Sequence, residues 1–178
     1  MKYLFFAFFT LSLSFAQSPK KVLKKLGDNP VFFIDSVNVD KETLQQYDPN
    51  DISSVTVYKD KNAVELIGSE GKDGVIYIET KNFCKKRYWK YFVSKSDEYR
   101  QRVTAPDGDA NVQYILNERV LDGNYEGNLA AIDDTVFKSI KFISKEELLR
   151  KYKIDNKDYG FQIISATPKD LYHGNRKF

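Results

Sequence analysis

The sequence predicts an α/β chain of the α+β kind, built from two tandem small modules, each a short sheet with one covering helix. Three observations predict it. Between positions 50 and 78 a strand, a short helix, a glycine-punctuated return and a second strand follow one another with very short links, the signature of a helix laid on one sheet face. A fainter copy of the same order runs from Tyr114 to Ile163. With 42% hydrophobic and 30% charged residues over 178 positions, the chain is large enough for a packed core without disulfide or metal staples.

Lys2, the apolar run from Tyr3 to Phe15, and Ser14 and Ala16 as small residues predict a secretory signal over residues 1–16, cut after Ala16. That run is shorter than the roughly 20 residues a helical membrane span needs, and no later run is longer, so no transmembrane span is expected. No cysteine stands at the cut, which argues against a lipoprotein anchor, and the single cysteine, Cys84, has no partner for an intramolecular disulfide. The expected location is the periplasm or outside the cell. A formal net charge of +3, together with export, argues against nucleic acid as a partner.

Residues 17–29 form a short amphipathic lead, in which Val22, Leu23 and Leu26 are set against four lysines at helical spacing and Gly27 closes the run. The first module spans 30–81. Val31 to Ile34 is a compact apolar run between Pro30 and Asp35, which suits a buried strand, and Val37 and Val39 alternate as a hairpin arm after Asp35 and Ser36. Lys41 to Tyr47 offers a helical segment with Leu44 inward. Asp48, Pro49, Asn50 and Asp51 then make a turn whose Asx side chains bond the backbone. A strand follows to Tyr58, and Asp60 is placed to cap a helix carrying Ala63, Val64, Leu66 and Ile67. Gly68 ends that helix, and Gly71 and Gly74 turn the chain into the strand from Val75 to Ile78.

Residues 82–110 form a basic, aromatic bridge expected to be largely helical, with Ser96 as an internal cap and Pro106 and Gly108 in a closing loop. The second module spans 111–178. There Tyr114 to Leu116 match Phe32 to Ile34, Ile140 to Ile143 match the strand ending at Tyr58, and Ser144 with Glu147 forms a capping box. Gly160 is matched to Gly74 as a turn glycine. The alternative is that any α/β chain shows such an order.

Residues 30–80 carry a likeness that is more specific than their order. Pro49, Asn50, Asp51 and Ile52 at the turn, Lys59 and Asp60 at the strand end, Ala63 in the helix, and Gly68, Ser69, Gly71 and Gly74 in the return resemble the plug domain of TonB-dependent outer-membrane receptors, in the form found in polysaccharide-utilisation receptors. The resemblance covers less than a third of the chain. Ser36 stands where that family usually has glycine, no TonB box is evident before Pro30, and the length is too short for a barrel of many strands. It therefore implies a plug-like unit without its barrel: a non-catalytic binding or scaffolding element of the Gram-negative envelope, accessory to outer-membrane transport, with envelope proteins as partners. Fold alone does not fix function.

No catalytic constellation, cofactor motif or metal site is expected. His173, the sole histidine, sits near the C-terminus with no partner or rigid seat. Cys84 lies beside Phe83, Lys85 and Lys86 without a histidine to complete a nucleophilic pair. Asp107, Asp109, Asn111 and Glu118 mimic a calcium loop, but Val112 occupies the position that needs glycine. Gly68, Gly71 and Gly74 lead into a strand, unlike a phosphate cradle, which opens a helix. The binding candidates are Arg87, Tyr88, Trp89, Lys90 and Tyr91. Two readings stand for them. They bind a glycan or an anionic lipid headgroup through stacked aromatics and cations, or the aromatics pack the modules together and the cations are solvated. The second is favoured, because so many adjacent aromatics would otherwise leave a large exposed patch.

Overall fold

The computed structural model describes residues 26–166. The signal segment 1–16, residues 17–25 of the lead, and His173 lie outside the described residues.

Val31–Ile34 (β1) turns back through Asp35 and Ser36 into Val37–Val39 (β2), with φ of +52° and +71° at the two turn residues, as a two-residue type I′ hairpin requires. Asp40 caps a short helix, Lys41–Leu44 (α1), by accepting from the Thr43 N–H at 2.7 Å, and α1 buries Leu44. Asp48 does the same for the Asn50 N–H at 2.8 Å in the 3₁₀ turn Pro49–Asp51, which delivers the chain into Ile52–Tyr58 (β3). The helix Asp60–Ile67 (α2) departs from expectation at its start. Lys59 holds the cap position but its side chain does not cap the helix, and Asp60 is the first helical residue, with φ of +49°. Gly68 (φ +74°) ends α2, a 3₁₀ turn follows to Asp73, and Gly74 (φ +98°) opens Val75–Thr80 (β4). At Gly71 a Cβ would lie 2.3 Å from the Ala63 carbonyl oxygen, so backbone proximity fixes that glycine.

β4 runs straight into Lys81–Lys95 (α3) and then Asp97–Arg102 (α4), capped by Ser96 as expected. After a loop come Val112–Leu116 (β5), a second positive-φ turn at Asn117 and Glu118, Arg119–Val120 (β6), Glu126–Ala130 (α5) and Phe137–Ile143 (β7). The Ser144 Oγ accepts from the Glu147 N–H at 3.3 Å to open Lys145–Glu147 (α6), which continues as a π-helical turn, Leu148–Tyr152, before Tyr159–Ser165 (β8).

The two sheets have the same topology. Their orders are β2-β1-β4-β3 and β6-β5-β8-β7; in each the hairpin and the last pair are antiparallel and the central pair is parallel. Even the irregularity repeats, at Ile52/Ser54 in β3 and at Phe137/Ser139 in β7. The registers also correct one match. Ile34 lies opposite Ile78, and Leu116 opposite Ile163. Gly160 therefore corresponds to Val75, one residue past Gly74, and it lies inside β8, where no turn occurs. A Cβ there would lie 2.7 Å from the Gln113 carbonyl oxygen and 3.0 Å from Leu148 Cδ2, so close packing requires glycine.

Each sheet buries both faces. On one, Ala63 of α2 packs on Tyr58, Val75 and Tyr77, and in the second unit Leu148 of the π-helical turn packs on Ile115 and Ile143. On the other, Phe32, Ile34, Ile76 and Ile78 meet Leu44 and Leu26, whereas Tyr114, Phe161 and Ile163 meet Cys84, Tyr88 and Phe92 of α3, Tyr99 of α4 and Leu129 of α5. The segment that reads as a bridge between modules thus forms the cover of the second sheet. Among the described residues no helix is long and apolar enough to cross a membrane.

The glycine geometry makes a graded prediction. Gly123 (φ +67°) has nothing within 4 Å of a built Cβ, so Gly123→Ala loses about 1–2 kcal/mol to left-handed backbone alone. Gly74 combines a glycine-only conformation with a Cβ position 3.2 Å from the Tyr58 carbonyl oxygen, so Gly74→Ala loses more, about 2 kcal/mol or above. Urea denaturation of both variants measures the difference, and equal losses would contradict it.

Candidate functional site

The basic aromatic segment is α3, and its helical period decides which residues face where. The Thr80 Oγ1 caps it by accepting from the Phe83 N–H at 3.1 Å. Cys84, Tyr88 and Phe92, four residues apart, then line one face and enter the core. Tyr88 is only 1% exposed. Its hydroxyl donates to Asp109 Oδ2 at 2.5 Å, the Tyr114 hydroxyl donates to the same oxygen at 3.3 Å, and Lys85 Nζ reaches Asp109 Oδ1 at 3.2 Å. The Tyr99 and Tyr114 hydroxyls share a further bond of 2.8 Å. Asp109, 2% exposed, is therefore a buried carboxylate with every recorded partner a hydroxyl or an ammonium. Burial, reinforced by that carboxylate, pushes the Tyr88 hydroxyl far above its ordinary pKa, and burial does the same for Tyr99, Tyr114 and Tyr125.

The flanking residues of α3 are also engaged. Trp89 Nε1 donates to the Val103 carbonyl oxygen at 2.8 Å. The Tyr91 hydroxyl donates to Asp134 Oδ1 at 3.0 Å, Lys95 pairs with the same oxygen at 2.5 Å, and the bonds from Lys95 and then Tyr91 hold the Asp134 carboxyl below its usual range.

Arg87 and Glu79 form the joint between the two units. Arg87 Nη1 pairs with Glu79 Oε1, while Glu79 Oε2 accepts from the Ser54 Oγ at 2.7 Å and faces Cys84 Sγ at 4.0 Å. From the other side, Asn124 Nδ2 donates to the carbonyls of Ile52 and Ser53 at 3.2 and 3.4 Å, and Gly127 lets α5 approach Ser53 and Ser54. Burial and the Glu79 carboxylate raise the Cys84 thiol to about 12, so it is a protonated core group with no nucleophilic character.

Of the five binding candidates, Tyr88 is withdrawn: its ring is in the core and its hydroxyl is used. Arg87 is committed to Glu79, Trp89 and Tyr91 are half-buried with their polar atoms engaged, and Lys90 alone is exposed, beside Lys86 on the same face. A flat aromatic platform for sugars therefore does not form. Cys84-Tyr88-Phe92 at i, i+4, i+8 was the signal in the sequence that this face is core. Asp109 was legible only as part of a calcium-loop mimic; β5 begins at Val112, Glu118 falls in a hairpin turn, and no cluster suited to a metal ion occurs among the described residues. Comparison with protein-family models, curated proteins and solved structures found no match to this chain.

Two outcomes follow. Arg87→Ala leaves Glu79 buried without its cation and destabilises the protein by about 2–4 kcal/mol, and adding Glu79→Gln recovers part of that loss. No recovery in a double-mutant cycle by urea denaturation would remove the joint from Arg87. Below pH 9, both folded and unfolded chains keep the Cys84 proton. Between 9 and about 12 only the unfolded chain releases it, and the buried tyrosines act in the same direction, so stability falls as pH rises through that window. A denaturation midpoint unchanged between pH 8 and about pH 10.5 would contradict this.

Proposed function

We propose that this protein is exported and non-catalytic, a plug-domain-like binding or scaffolding element of the Gram-negative envelope, accessory to outer-membrane transport. The observation that carries the reading is the duplicated sheet: residues 30–80 supply the plug-like turn, helix and glycine return, and residues 81–165 repeat the same strand order. Two such units in contact through Glu79–Arg87 and Asn124 leave strand edges open in both sheets among the described residues, which suits holding partners together. Export is carried by the signal-like residues 1–16.

A second reading, binding to anionic headgroups, is favoured by Lys86 and Lys90, exposed one turn apart on α3. It uses cations without the aromatic platform.

The test is expression of the tagged full chain in a Gram-negative host, fractionation and mild cross-linking. The mature protein should leave the cytoplasm with Gln17 as its first residue and recover the same envelope proteins reproducibly. Retention in the cytoplasm, or recovery of nothing above an untagged control, would end the scaffolding reading. Sedimentation with anionic but not neutral vesicles, lost in a Lys86→Glu/Lys90→Glu variant, would select the second.

A further inference from the structure

Among the described residues both sheets end on a seven-residue strand with one side unpaired, β3 in the first and β7 in the second. An open edge presents a row of backbone donors and acceptors to any extended chain, and proteins commonly blunt such edges with lysine. The internal duplication allows the two edges to be compared position by position. Val55 lies opposite Ile78 and Ile140 opposite Ile163, so Val55, Thr56 and Val57 correspond to Ile140, Lys141 and Phe142, and the bulge residue Ser53 corresponds to Lys138. β7 thus carries two exposed lysines. β3 carries no charge from Ile52 to Tyr58, and its Val55 is 46% exposed.

Among the described residues only part of the β3 edge is used. Asn124 and α5 occupy its start at Ile52 and Ser53. From Val55 to Val57 the recorded backbone pairing among the described residues is with β4, on the inner side. The charge of the surrounding unit selects among occupants. Residues 17–80 hold 11 Asp and Glu against 8 Lys and no Arg, whereas residues 81–178 hold 19 Lys and Arg against 14 Asp and Glu. A second copy paired β3 to β3 would bring two net-acidic units together, which opposes that dimer. A strand bearing lysine or arginine is attracted instead.

We propose that the open edge of β3 is a strand-addition site that takes an extended, cationic peptide segment of a partner protein. Main-chain bonds to residues 54–57 supply the attachment, the exposed Val55 side chain supplies an apolar contact on one face, and the acidic unit supplies preference for basic side chains. Its use in the cell rests on the reading of the chain as a binding element, but the chemistry is testable on purified protein alone.

The probe is a capped hexapeptide alternating lysine and valine, with a glutamate–valine peptide and a centrally proline-substituted lysine–valine peptide as controls. Calorimetry and amide hydrogen exchange are read on the full mature chain. The lysine peptide should bind, slow exchange at residues 54–57 and leave β7 unchanged, and both controls should bind at least about tenfold more weakly. Thr56→Lys installs the residue that sheet 2 carries as Lys141. It should keep the melting temperature and lose about tenfold or more in affinity. Equal binding of the glutamate peptide, protection elsewhere than β3, no binding at about 1 mM peptide, or a Thr56→Lys variant that binds as well as the parent would each overturn the proposal. So would a peptide-free dimer with β3 already protected, which would make a second copy the occupant. Loss of peptide binding with envelope capture intact would remove this site alone. Peptide binding without envelope capture would leave the site and remove the scaffolding role.

Discussion

A parallel pair of strands has no hairpin to fix its register, and both sheets of this protein are built around one. Each solves the problem with the first residue of its type I′ turn. The Asp35 carboxylate accepts from the Thr80 N–H at 2.8 Å and from the Thr80 Oγ1 at 2.7 Å, 45 positions away. In the second sheet Asn117 donates to the Ser165 carbonyl oxygen at 2.8 Å and accepts from the Ser165 N–H at 3.0 Å, 48 positions away. Asp and Asn are the non-glycine residues that most readily enter left-handed backbone, and they also carry a side chain that reaches the neighbouring strand. One residue therefore both turns the hairpin and holds the end of the parallel partner. A slip of one position would exchange the faces of β4 and expose Ile76 and Ile78 to the side built for Val75 and Tyr77.

That lock extends into the joint. Thr80, held by Asp35, is also the N-cap of α3, so the register of the first sheet sets where the cover of the second sheet begins. One residue before it, Glu79 points to Arg87 on the second turn of the same helix. Strand end, cap and ion pair lie within nine residues, and the helix they aim carries Cys84, Tyr88 and Phe92 into the largest cluster among the described residues. The two units are consequently neither beads on a linker nor a single sheet; the first ends by positioning the roof of the second.

The repeated order of strands was legible because apolar runs, turn residues and capping side chains all act locally, as at Asp48, Ser96 and Ser144. What escaped the sequence depends on contacts between distant residues. Gly160 looked like Gly74 because both are glycines before an apolar run, yet only register separates a turn glycine from a strand glycine pressed by Leu148 and Gln113. Packing between the modules was the favoured reading of the α3 aromatics, and what the local pattern did not carry is that Tyr88 and Phe92 face the second sheet. Asp109 could not be recognised as the hub of three residues, Lys85, Tyr88 and Tyr114, that approach it from a helix and a strand.

Once the register is known, the two units show how one topology tolerates two different sequences. Val75 packs with Ala63 in the first sheet, and the corresponding pair in the second is Gly160 with Leu148. The large residue has moved from the strand to the helix and the small one from the helix to the strand, which conserves the volume between the layers. The opposite face follows the reverse course. There the first sheet manages with Leu44 and Leu26, while the second recruits three helices and a network of tyrosines around Asp109. A hydroxyl on Tyr88 or Tyr114 would be costly in a dry core, and a carboxylate on Asp109 more so, but each satisfies the other. Volume compensation on one face and polar satisfaction on the other are separate solutions to the same requirement, that the central parallel pair be covered on both sides.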